Sequence, residues 1–235
     1  MTEVTLSPAA ESRPTPIPTG RAAFWRSGLT AALYLAGGVP LVFGLAFLAS
    51  QLPGHIDLFE SPLLGFGLFI GVAAGGGWLW GRALERLAGQ GPLAWPVALS
   101  FPGLSILAAL ALGRLEVFLL EEGGAGDTPI YIVFAALFTL SSFFVVAAAG
   151  AVIGLALRDG RLALQLALFG GLAGGAGFLF ADVVQHLRGR VVGGPNAAAT
   201  ATMLTVMAVG HAAAAFLGGG VIGWRLARRA SGALR

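Results

Sequence analysis

Six runs without a formal charge, at 27–50, 61–81, 92–113, 128–157, 162–181 and 198–224, constrain this chain more than any other feature. Each is long enough to cross the hydrocarbon core of a bilayer, which takes roughly 20 apolar helical residues. Charge or a Gly/Pro turn bounds every run, and the stretches between them are too short for a soluble domain. Only 11% of the residues are charged, against about 25% in soluble domains. The pattern predicts an all-α polytopic membrane protein with six transmembrane helices, residues 21–235 forming one domain. Residues 1–20 are polar and interrupted by Pro8, Pro14, Pro16 and Pro18, and are expected to be a disordered cytoplasmic tail. The first run exceeds the apolar stretch of an ordinary cleaved leader, so it is expected to remain as a span.

The cations give the orientation. All fourteen are arginines, and eleven of them (Arg13, Arg21, Arg26, Arg82, Arg86, Arg158, Arg161, Arg225, Arg228, Arg229 and Arg235) fall on one side of the six-span scheme. The opposite loops carry Asp57, Glu60, Glu116, Glu121, Glu122, Asp127 and Asp182, with only Arg114, Arg188 and Arg190 among them. Cytoplasmic loops are the Lys/Arg-rich ones, so both termini are expected in the cytoplasm and the chain in the cell inner (plasma) membrane. Nucleic-acid binding needs cations gathered on one exposed surface; here they sit between spans, and no nucleic-acid partner is expected. The expected surroundings are the lipid bilayer and either further copies of the chain or subunits of a membrane complex. There is no cysteine, which excludes disulfides, thiolate nucleophiles, iron–sulfur clusters and cysteine zinc sites.

Internal repetition adds a symmetry. LFIGVAAGGGWLWGR (68–82) aligns without a gap on LFGGLAGGAGFLFAD (168–182), seven of the fifteen positions being identical. Trp78 pairs with Phe178 and Trp80 with Phe180. The register continues into LSILA (104–108) over LTVMA (204–208), giving twelve identities in the 45 positions of 68–112. An offset of three spans is odd, so the second copy crosses the membrane in the opposite sense. The repeat halves, about 27–113 and 128–224, are therefore expected to have inverted topology. Such 3+3 repeats recur in transporters, with the substrate path near the midplane at the repeat interface.

The second and fifth runs are rich in glycine, with Gly67, Gly71 and Gly75 at every fourth position and Gly170, Gly171, Gly174, Gly175 and Gly177. Small residues at such spacing let helix backbones approach closely in lipid. They also permit bending, so Pro40, Gly75, Pro102, Gly174 and Gly175 are the candidate helix-bend positions. RLEVFLLEE (114–122) reads as an interfacial continuation of the third helix. Asp182 and His186 share a helical face as a solvated pair rather than a metal site, since no third ligand is evident.

Enzyme chemistry finds little to stand on. GHAAAAFLGGGVIG (210–223) is similar to the histidine-bearing last core helix of rhomboid proteases, but LSSFF (140–144) has no glycine before its serines and supplies no GxSx nucleophile. A bis-histidine haem requires two axial ligands at one depth. His186 and His211 would lie roughly 36 Å and 20 Å from the inner helix ends at 1.5 Å per residue. The run AAGGGWLWGR (73–82) resembles the glycine-bent helices of TRIC-type cation channels over two short stretches. Arg82 comes five positions after Gly77 with no aspartate following, so no residue role is carried over. The chain is read as non-enzymatic, with no cofactor and no metal.

His211 breaks the repeat: at an offset of 100 it corresponds to Ala111. Its helical face includes Thr200, Leu204, Met207, Ala215 and Gly218, small and polar enough to look into the bundle. Counting from the outer helix ends puts it about level with Ser141 and Ser142, each roughly 20 Å in. Those serines and Ser105 are its expected partners. One account makes His211 a neutral, hydrogen-bonded residue that fixes the last helix. The other makes it a titrating group on a path, since intramembrane ionisable residues mark pathways and imidazole titrates near neutral pH. The expected function is a small transporter or channel with a midplane pathway between inverted repeats. The alternative is a non-catalytic helix-packing or assembly subunit of a larger membrane complex.

Overall fold

The computed structural model describes residues 20–36, 62–89, 91–120, 130–187 and 197–232. Among these residues there is no strand. The α-helices are α1 (Gly20–Ala31), which continues into a π-helical turn (Ala32–Ala36), α2 (Pro62–Ala88), α3 (Ala94–Leu120), α4 (Ile130–Ala156), α5 (Gly160–Leu187) and α6 (Ala197–Ala230). Two segments, Ile132–Ala156 and Gly160–Gln185, are long and apolar enough to cross a membrane. Residues 1–19 of the expected tail and Pro40 lie outside the described residues.

Charge bounds the apolar runs but does not end the helices. Arg82, Glu85 and Arg86 are good helix formers, so α2 continues through them until Gly89, whose φ of +62° reverses the chain. Glu85 then reaches forward: its Oε1 accepts the Ala94 N–H at 2.8 Å and caps α3, while its Oε2 accepts from Arg82 at 2.9 Å. The α4–α5 reversal takes only 157–159. Arg158 occupies the left-handed region with φ 55°, and Asp159 Oδ1 accepts the Leu162 N–H at 2.8 Å as the N-cap of α5. Pro102 sits buried inside α3, which stays helical through it although one backbone hydrogen bond is removed.

All the described turns meet at one end. Side-chain room at Gly20 is taken by Trp224, at Gly28 by Phe216 and at Gly219 by Ala31, so α1 and α6 run antiparallel and the outermost described residues lie together. Arg229 contacts Asp159 at 3.1 Å, and Gly91 abuts Leu157, which brings the α4–α5 and α2–α3 turns to the same end. The main apolar core sits towards this end, built from Trp80, Leu84, Leu93, Val97, Ile153, Leu166, Ile222 and Leu226. One polar link crosses it. The Ser27 hydroxyl donates to the Gly219 carbonyl at 2.6 Å and accepts from Trp80 Nε1 at 3.3 Å, tying α1, α2 and α6 together with each group satisfied.

The burial of α2 and α5 does not follow the sequence repeat. Phe178 is 2% exposed where Trp78 is 38%, and Trp80 is 2% exposed where Phe180 is 69%. Two positions along a helix turn the face by about 200°, so the two helices present different faces to the bundle. The cause is position: α5 packs between α4 and α6, whereas α2 packs mainly on α3. Gly67, Gly71 and Gly75 accordingly meet no described atom within 4 Å, while Gly171, Gly174 and Gly177 are in close contact with neighbouring helices.

Candidate functional site

The seam between α4, α5 and α6 collects the mid-helix polar groups. Glycine makes it narrow. A Cβ at Gly150 would stand 2.5 Å from the Leu166 carbonyl, and one at Gly154 would run into the backbone of Ala163, so α4 and α5 touch main chain to main chain. A Cβ at Gly177 would likewise stand 2.6 Å from the Ala213 carbonyl between α5 and α6. Val146 of α4 closes one level of the seam by packing on Gly170, Gly174 and Gly218 together.

Two turns back along α4, Phe138 closes another level. Its ring stacks on Phe178 of α5 at 5.8 Å, and His211 of α6 lies edge-on to both, 6.0 Å from Phe138 and 5.3 Å from Phe178. His211 is half-buried. Ser142 occupies the α4 turn midway between Phe138 and Val146, since residues four apart share a helical face. It is therefore enclosed between the His211 level and the Gly218 level.

Ser142 is 5% exposed, and its hydroxyl has no hydrogen-bond partner among the described residues; Thr139 Oγ1, one turn away, is likewise enclosed and unpartnered there. This is unusual, because a buried hydroxyl is nearly always satisfied and a helical Ser or Thr can bond the carbonyl four residues back. Leaving such a group unmet costs about 1–3 kcal/mol. The seam thus holds two hydroxyls that lower its stability, with the His211 imidazole close by. It can offer hydrogen bonds to water or a small polar solute, and an imidazole can accept or release a proton.

The structure brings Ser142 and His211 to one seam and leaves Ser141 on the adjoining, more open face of α4. The side chains of Ser105 and His186 lie outside the described residues, as do those of Thr200, Leu204 and Met207. Gly174 and Gly175 lie in unbroken helix; their visible role is contact with Val146 and with Phe143 of α4. Gly75 is exposed on α2. Thr139 was not legible as a site residue, because a lone threonine in an apolar helix shows its surroundings only after the helices pack. The arginines after the sixth run carry more than topology. Arg225 spans α5 by donating to Gln165 at 3.2 Å with its guanidinium 4.0 Å from the Phe169 ring centre. No metal-ligating cluster occurs among the described residues. No protein-family model matches the chain, and no curated protein and no solved structure matches it either.

Proposed function

We propose that this chain is a small integral-membrane transporter or channel whose pathway runs through the α4–α5–α6 seam past His211, Ser142 and Thr139. The observation that carries the reading is the pair of enclosed hydroxyls, unpartnered among the described residues, on the turn of α4 next to Phe138, the ring that His211 packs against. A solute or water passing through the seam would supply the missing partners. Six spans with both termini in the cytoplasm accompany this proposal. It is supported by the gathering of Arg82, Arg158, Arg225 and Arg229 at the end where the described turns meet. The apolar surface supports it too, since only 28% of the most apolar stretch of α4 is covered by protein and Leu140, Phe144 and Leu155 face outward. A soluble core helix would be covered. The repeat enters as a relation of helix order, with α2 and α5 turned differently about their axes.

Two measurements test it. Single cysteines at Gly124 and Gly194 of the naturally cysteine-free chain should react with an impermeant thiol reagent from outside the cell, and cysteines at Gly89 and Gly160 should not. Outside labelling at Gly160 would rule out the six-span orientation. The purified chain, alone in liposomes holding a pH-reporting dye, should dissipate an imposed proton, potassium or chloride gradient faster than protein-free liposomes. No flux in any of the three, together with copurification of the chain with fixed partners in constant ratio, would replace transport by the assembly-subunit reading. The outward apolar face of α3, with Trp95, Leu99, Leu107 and Leu110, is where such a partner would dock.

A further inference from the structure

The α5–α6 groove at the arginine-rich end holds more positive charge than the protein neutralises. On α5, Arg161, Gln165 and Phe169 follow one another at four-residue spacing and so form one stripe. On α6, Arg225 and Arg229 are also four apart. Arg229 pairs with Asp159 at 3.1 Å, but Arg225 forms no ion pair among the described residues; it meets the Gln165 amide oxygen at 3.2 Å and the rings of Phe169 and Trp224. Arg161 is exposed one turn below Gln165. Among the described residues this end of the groove thus carries Arg225 and Arg229, with Arg161 on the adjoining turn of α5, against the one carboxylate of Asp159. Arg225 Nε and Arg229 Nη1 are, in addition, enclosed without a hydrogen-bond partner among the described residues.

We infer that this groove binds an anionic phospholipid, its phosphate held by Arg161, Arg225 and Arg229 and its acyl chains lying against Phe169. The inference rests on the membrane-spanning part of the reading above and not on transport. Three physical reasons select this occupant. Arg225 lies about 6 Å nearer mid-helix than Arg229, at 1.5 Å per residue, where an unpaired guanidinium sits beside apolar surface and is poorly served by water. Guanidinium is the side chain whose fork geometry matches phosphate oxygens. Phe169 is 41% exposed immediately above, so the anion that fits is one carrying hydrocarbon on the mid-helix side.

The test uses the full chain in a zwitterionic detergent, with bound lipid counted by native mass spectrometry. Dioleoylphosphatidylglycerol should be retained at least about tenfold better than dioleoylphosphatidylcholine, the difference one charge-assisted contact supplies. Arg225→Gln should remove that preference. Arg161→Gln, at an exposed position that the fold does not need, should weaken it about as much and carries the test if Arg225→Gln does not fold. Arg82→Gln, which removes the same charge from α2, should leave it intact. Equal retention of the two lipids, or an Arg161→Gln chain that behaves like Arg82→Gln, overturns the inference. So does displacement of the bound anionic lipid by an equal concentration of inorganic phosphate, because the hydrocarbon then contributes nothing. A chain that moves no solute but keeps the preference loses the transport reading alone; one that moves solute without the preference loses only the lipid site.

Discussion

Gly154→Leu should prevent α4 and α5 from closing on each other and leave little monodisperse protein. The Cβ alone would run into the main chain at Ala163, which no rotamer change can relieve, so the helices must separate along the hairpin. At Gly150, one turn away, a Cβ would already stand 2.5 Å from the Leu166 carbonyl, so separation at Gly154 also disturbs the packing of Ile153 and Leu166 in the core. Overpacking within a core costs about 1–3 kcal/mol when side chains can give way. With main chain as the obstacle the expected loss is about 3 kcal/mol or more. That is a large part of a stability of about 5–15 kcal/mol, and it lowers the unfolding midpoint by about 6–12 °C in a chain of this size. Gly103→Leu makes the same chemical change in α3 where no described atom lies within 4 Å. It should be neutral or slightly stabilising, because glycine inside a helix is about 1 kcal/mol worse than a good helix former. Fluorescence-detected size exclusion after heating compares the two. Equal midpoints would show that glycine contact is not what holds the hairpin.

The contrast between those two glycines explains what the sequence could and could not reveal. Helix positions are legible because uncharged runs of such length have few other outcomes, and the helices α2 to α6 overlap the runs from 61–81 to 198–224. Their ends are less legible. Glu85 and Asp159 look like topological punctuation in the sequence, yet each is held by a backbone N–H that it caps, and α6 continues through Arg225 to Ala230. Facing is hardest, because a helix apolar all round carries no stripe to mark its buried side. Thus the regular Gly67, Gly71, Gly75 spacing turns out to meet open space, while Gly150 and Gly154, less conspicuous in AAAGAVIGLA (147–156), form some of the tightest contacts. The seam shows the same division. His211 stands out in the sequence as an ionisable group in an apolar run, whereas its neighbours Phe138 and Phe178 are ordinary aromatics until three helices bring them together.

Stability and transport should separate at Ser142 and His211. If the Ser142 hydroxyl is a partner for something that passes through the seam, its removal abolishes a functional hydrogen bond and relieves the resting protein of an unmet polar group. Ser142→Ala should therefore unfold at the same temperature as the natural chain or higher, by up to about 1 kcal/mol, while flux falls about tenfold, equivalent to 1.4 kcal/mol on the barrier. A purely structural hydroxyl would give the opposite sign, a lower midpoint with normal flux. His211→Ala removes both the imidazole nitrogens and a ring that packs on Phe138 and Phe178, so loss of activity in that variant mixes chemistry with packing. His211→Phe keeps a ring between the same neighbours and deletes only the polar atoms. Its folded yield should match that of the natural chain, and its flux should be lost at every pH between about 5 and 8, the range over which an ordinary imidazole changes charge. Normal flux through His211→Phe, with unchanged pH dependence, would assign the histidine to helix packing and move the pathway away from this seam.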